Sequence, residues 1–145
     1  MTATPTSLLA AGLATVLVAL ALLHLYWMVR GVGTGTAVPT RTDGTPLFRP
    51  GRVASLTVAL ALGAAALLVL LRARLIDLGL PLVMVRLGIW GVAAAFAART
   101  VGDFHFVGLF KSVRGTPFAR WDDRLFTPLC LAIALATAIL ATTTE

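Results

Sequence analysis

Residues 7–29 read SLLAAGLATVLVALALLHLYWMV, twenty-three positions without Asp, Glu, Lys or Arg. A helix of that length is about 34 Å long, enough to cross a hydrocarbon layer of about 30 Å with some tilt. A signal peptide would carry a basic stretch ahead of the apolar one and a small-x-small site behind it. Here Met1 to Thr6 carry no charged side chain, and the run closes on His24-Leu25-Tyr26-Trp27. The segment therefore reads as a retained membrane helix.

Three further runs follow the same logic. Val53–Leu71 is uncharged, Pro81–Ala98 is interrupted only by Arg86, and Phe126–Thr142 is uncharged but carries Pro128 near its start. None alternates polar and apolar residues as a barrel strand must. Lipid offers the backbone no hydrogen bonds, so each run is expected to be helical. The expected fold class is all-α: a polytopic membrane protein, one domain over 1–145. Four transmembrane helices (about 7–29, 53–71, 81–98 and 126–142) form an antiparallel bundle, with a structured cytoplasmic loop between helices three and four.

Composition agrees. Of 145 residues, 59% are hydrophobic and 12% charged, against about 25% charged in soluble domains. A sphere of this size cannot hide so much apolar surface from water. Disorder is excluded, and one cysteine, Cys130, makes no disulfide scaffold. The net charge is +6, yet the basic residues are scattered through loops rather than gathered on a phosphate-binding face, which argues against nucleic acid.

The placement of charge gives an orientation. Arg30, Arg41, Arg49 and Arg52 follow helix one, and Arg99, Lys111, Arg114, Arg120 and Arg124 follow helix three. Those nine face Arg72 and Arg74 on the other side, with Arg86 inside a span. The bias places loops 30–52 and 99–125 in the cytoplasm and both termini outside, in a bacterial cytoplasmic (inner) membrane. Tyr26, Trp27, Phe48, Phe118, Trp121 and Phe126 supply an aromatic belt on the same side. Ala59 with Gly63, and Gly91 with Ala95, have the small-residue spacing that lets helices approach in lipid.

The first long loop reads as a connector with a turn at Thr42-Asp43-Gly44-Thr45-Pro46. The second mixes aromatics with both charge signs and is punctuated by Gly102 and Gly108, so a folded cap is expected, beginning with a short continuation of helix three. Arg99 and Asp103 have the i, i+4 spacing of a helical ion pair. Asp122 and Asp123 precede helix four, where an acidic group suits a helix N-terminus.

Ionisable groups within spans are functional candidates. His24 sits six residues before Arg30, about 9 Å along the axis. It reads first as a hydrogen-bonded structural group and second as part of a polar pocket. Arg86 reads first as a snorkelling side chain and second as an interior group, with Asp77 as partner and Trp90 one turn on to stack against it. The candidate pocket set is His24, Tyr26, Trp27, Arg86, Trp90, Arg99, Asp103, His105, Phe110 and Asp122. No metal site is expected, since three or four ligands would be needed. A haem held by His24 and His105 is the remaining cofactor alternative. No phosphate loop, Cys-x-x-Cys or His-Glu-x-x-His occurs.

Two stretches carry a resemblance. His24-Leu25-Tyr26-Trp27 is one; the other runs from Arg99 to Cys130 through Gly102-Asp103-Phe104, Val107-Gly108-Leu109-Phe110-Lys111, Thr116-x-Phe118-Ala119, Asp122 and Pro128-Leu129-Cys130. Together they resemble the small bacterial membrane proteins catalogued as domain of unknown function 3995, a family of short chains with four apolar segments. The resemblance implies no activity; it singles out His24, Tyr26, Trp27, Asp103, Phe110 and Asp122.

Two functional readings result. The first is a non-enzymatic accessory subunit or lipid or small-molecule binder, in which Arg99, Lys111, Arg114 and Arg120 meet anionic headgroups of membrane lipids. It is compatible with a homo-oligomer or a larger membrane complex. The second is a membrane enzyme or transporter with a cytoplasm-facing polar pocket around His24 and Asp103.

Overall fold

In a computed structural model, residues 4–33 and 36–143 are described. Thr4 starts α1 (Pro5–Arg30): its side chain accepts a hydrogen bond from the Ser7 amide, and Pro5 fills a first-turn position where no donor is needed. Gly31, at φ 82°, ends it and donates its amide to the Trp27 carbonyl. Then come α2 (Arg52–Arg72), α3 (Leu82–Val101), α4 (Pro117–Trp121), a π-helical turn (Asp122–Phe126) and α5 (Thr127–Thr142). The last three run on as one rod, Pro117–Thr142. All four rods are long and apolar enough to cross a membrane.

The helices are apolar on every side. At most 33% of a span's apolar window is buried inside the protein. Leu8, Leu22, Leu60, Val83, Leu87 and Leu135 all lie exposed on the outer faces. A water-soluble bundle would carry polar residues there; a lipid-facing one needs none.

The rods pack as two hairpins, α1 along α2 and α3 along α5, joined mainly where α2 meets α3. The core is built from Ala10, Ala14, Leu17 and Ala21 of α1, Leu62, Ala66 and Val69 of α2, Ile89 of α3, and Ile133 and Leu140 of α5. Alanine lets backbones approach where lipid gives no hydrophobic drive for association. The small pairs singled out by spacing are used otherwise. Ala59 is buried but Gly63 faces outward, and Gly91 and Ala95 line an open apolar groove of about 410 Å³ between α2 and α3.

Arg72, buried at the end of α2, donates to the Thr143 carbonyl just past α5, which puts those two helix ends on one side. Both long loops therefore lie together at the opposite end, here called the loop side.

One boundary and one side chain differ from the sequence reading, for identifiable reasons. The fourth rod starts at Pro117 rather than near Phe126, because Thr116 caps it through the Ala119 amide and the π turn carries it past Asp122, Asp123 and Arg124. Pro128 lacks a donor and would crowd an ordinary helical carbonyl; the widened turn just before it accommodates both defects. Helix three does continue a little past Ala98, as expected, to Val101, where Gly102 at φ 87° stops it. Phe118 is not a belt residue: it is buried and packs against half-buried Phe126.

The first loop is more than a connector. Its Asp43 carboxylate accepts from the Thr45 amide and hydroxyl, Thr40 and Pro46 form a β-bridge, and Val38 and Thr40 are buried.

Candidate functional site

The loop between α3 and α4 is organised by two glycines and two aspartates. Gly102 (φ 87°) and Gly108 (φ 90°) cross so closely that a Cβ on either would collide with the other's backbone or with the Val101 and Val107 carbonyls. One Asp103 carboxylate oxygen accepts the amides of His105 (2.9 Å), Phe106 (2.7 Å) and Val107 (2.9 Å). The loop then folds back, with the Leu109 amide on the Thr100 carbonyl at 2.8 Å and the Val113 amide on the His105 carbonyl at 2.9 Å. Burial pushes the Asp103 carboxyl up, but the three amides outweigh it and hold it below its ordinary value of 3.8.

Beneath the loop lies a cluster of charges around Asp122. This residue, placed by the π turn and fully buried, receives Arg99 Nη2 on Oδ1 at 2.7 Å. Its Oδ2 receives the Gly108 amide at 2.9 Å and Lys111 Nζ at 3.0 Å. Lys111 Nζ also donates to the Gly108 carbonyl at 3.0 Å and to Asp123. Arg114 approaches Asp123 at 3.8 Å and donates to the Leu109 carbonyl. Arg99 and Lys111 face the two carboxylates from inside and Arg114 reaches Asp123 from the exposed edge, and the ammonium has three acceptors, which offset its desolvation. The cluster bolts the loop to α3 and the fourth rod.

The sequence candidates divide accordingly. Arg99 and Asp122 are brought together, but Arg99 does not pair with Asp103. Gly102 ends the helix before Asp103 reaches the i, i+4 position, and Asp103 spends its carboxylate on its own loop. Asp122 and Asp123 are not N-terminal helix charges; they sit five and six residues past Pro117. Lys111 is not a headgroup ligand, because its side chain is sealed from solvent by two aspartates. Arg99 is partly exposed but engaged. Arg114 and Arg120 are exposed.

The remaining candidates stand apart. His24 Nδ1 lies 2.8 Å from the Leu20 carbonyl, with Trp27 edge-on at 4.9 Å, while Tyr26 points outward. Among the described residues, no hydrogen bond or ring contact joins this group to Asp103 or His105. His105 is exposed, with its ring 3.3 Å from the Ser112 hydroxyl and edge-on to Phe106. Arg86 and Trp90 are both exposed near the start of α3, and Arg86 is about 20 Å along that helix from Arg99. Asp77 caps its own turn through the Gly79 amide instead of meeting Arg86. Phe110 is exposed with Phe104, their ring centroids 6.2 Å apart.

Two features escaped the sequence. Asp123 joins the buried cluster, and Arg124, with Arg120 and Trp121, lines a notch of about 240 Å³ on the loop side. Arg120 and Arg124 are four apart, exposed, and alike in charge, a spacing that is mildly repulsive on a helix. An anion between them would relieve that repulsion, and Trp121 is exposed beside them.

The family model described as protein of unknown function (DUF3995) matches residues 17–137. No curated protein and no solved structure matches the chain.

Proposed function

The chain belongs to the DUF3995 family, a membership that brings no activity with it, and from the geometry we propose a non-enzymatic accessory protein of a bacterial cytoplasmic membrane that binds anionic lipid on its loop side. The Arg120–Trp121–Arg124 notch carries this reading. It joins two cations that meet no carboxylate among the described residues to an interfacial aromatic, while Arg99 and Lys111 nearby are held by Asp122 and Asp123. The excess of basic residues in the two long loops supports a cytoplasmic position for that side, where anionic lipid attracts basic residues at about 1 kcal/mol each.

A polar pocket around His24 and Asp103 has less support. The His24 ring is turned to its own helix and the Asp103 carboxylate to its own loop. The helix interface that would house such a pocket is filled by Ala, Leu, Val and Ile.

Native mass spectrometry of the protein from mixed phosphatidylglycerol and phosphatidylcholine nanodiscs tests the proposal. Phosphatidylglycerol should be retained selectively. The pair Arg120→Glu and Arg124→Glu should weaken retention about tenfold or more, as loss of about 1 kcal/mol per cation requires. Retention unchanged by that reversal would remove the notch as the site.

A further inference from the structure

The loop that the buried cluster holds in place presents its apolar residues outward. Phe104 is 63% exposed, Leu109 49% and Phe110 61%. Exposed aromatics on a mobile loop would mean little, but this loop is locked. Asp103 ties three successive amides, Gly102 and Gly108 interlock, and Gly108 is bonded to Asp122. Phe104 is held at φ 63°, a left-handed conformation unusual for an aromatic residue. That conformation turns its ring away from the bundle and beside Phe110.

The level of this tip is set by a backbone bond. The Leu109 amide donates to the Thr100 carbonyl, so Leu109 and Phe110 stand beside the last turn of α3 rather than beyond it. Val101, in that turn, is itself exposed, so the apolar surface of the span reaches the foot of the loop beside Leu109 and Phe110. Exposed Arg114 donates to the Leu109 carbonyl at the tip, and Arg120 and Trp121 are exposed on the same loop side. Basic and aromatic residues around an apolar tip at the end of a span match the layered chemistry of a bilayer boundary. A protein partner would leave that register with the span unexplained.

We propose that the Gly102–Phe110 loop is a preformed interfacial anchor, with Phe104, Leu109 and Phe110 inserted at the acyl–headgroup boundary on the loop side. The inference rests on the membrane reading of the spans but not on headgroup binding at Arg120 and Arg124.

Spin labelling of the full chain in vesicles tests it. In a Cys130→Ser background, Phe110→Cys and, separately, Phe104→Cys are labelled, and their collision rates with oxygen and with a water-soluble nickel chelate are compared. Thr42→Cys, on the exposed turn of the first loop, is the aqueous reference. Both tip positions should favour oxygen over nickel several-fold relative to Thr42. The preference should persist in pure phosphatidylcholine, where selective binding of anionic lipid is impossible, so the two proposals fail separately. Helix content by circular dichroism establishes that each labelled chain is folded, and either position suffices if the other is not. Nickel access equal to that at Thr42 would place the tip in water. An immobilised label shielded from both reagents would place it against protein. Either result overturns the anchor.

Discussion

Lys111 Nζ lies 3.0 Å from Asp122 Oδ2, and both side chains are wholly shut off from solvent. The pair links a loop residue to a π-helical turn of the last rod, while Arg99 brings the end of α3 to the same carboxylate. Three separate elements are held by one group. Its other oxygen contacts are all donors, so the charge is matched only while every partner is present.

Removal of one partner should therefore be severe. Asp122→Ala leaves Lys111 and Arg99 without their shared anion and should cost about 3–5 kcal/mol. Lys111→Met should cost less, because Arg99 and the Gly108 amide still serve Asp122. Thermal or denaturant unfolding in detergent, followed by circular dichroism, gives the order. Equal and small losses would show that the cluster is not stabilising.

The interlocked glycines separate steric from conformational cost. Gly115 also has positive φ, at 88°, but a Cβ there meets nothing. Gly115→Ala should lose about 1–2 kcal/mol, the ordinary penalty of a left-handed alanine. Gly102→Ala and Gly108→Ala should lose more and release the loop, since their Cβ atoms would strike backbone. Limited proteolysis between residues 102 and 116 gives the comparison: cleavage should rise for the two interlocked positions and stay near the parent level for Gly115→Ala.

Asp103 makes the loop sensitive to acid. Its carboxyl is held below 3.8 by three amides, so it is more acidic in the folded chain than in the unfolded one. A depressed carboxyl contributes stability above its unfolded value and loses it as the pH falls through the folded one. Loop order, read from the mobility of a label at Phe110→Cys, should be constant from neutral pH down to the unfolded value and decline below it. Asp103→Ala should give a mobile label at every pH. A transition near neutral pH would assign the effect to another group.

How far the sequence reveals this architecture depends on the range of the interaction. The spans are visible because lipid imposes a local rule, unbroken apolar length. The Asp43 turn is visible because its partner Thr45 is two residues away. Arg99 and Asp122 are 23 positions apart and lie in no common period, so helical spacing offers Asp103 as the partner instead. Lys111 looks like a surface charge because lysines in loops generally are; its burial depends on two carboxylates supplied by a turn that Pro128 disguises. Phe118 fails as a belt residue for a similar reason. Its place in the capped first turn of α4 directs it inward, and that turn becomes evident only once Thr116-Pro117 is taken as a helix start.

The orientation of the whole assembly is open to a direct measurement. The first loop carries Thr42 on an exposed turn, held out by Asp43 and closed by the Thr40–Pro46 bridge. In a Cys130→Ser background, Thr42→Cys should resist a membrane-impermeant thiol reagent in intact cells and react once the cells are opened. Asp77→Cys, on the exposed connection between α2 and α3 at the opposite end of the bundle, should react in intact cells. The reverse pattern would place the basic loops outside. The Arg120–Arg124 notch would then face the outer leaflet, and the cytoplasmic headgroup reading would fail while the fold and the buried cluster stood.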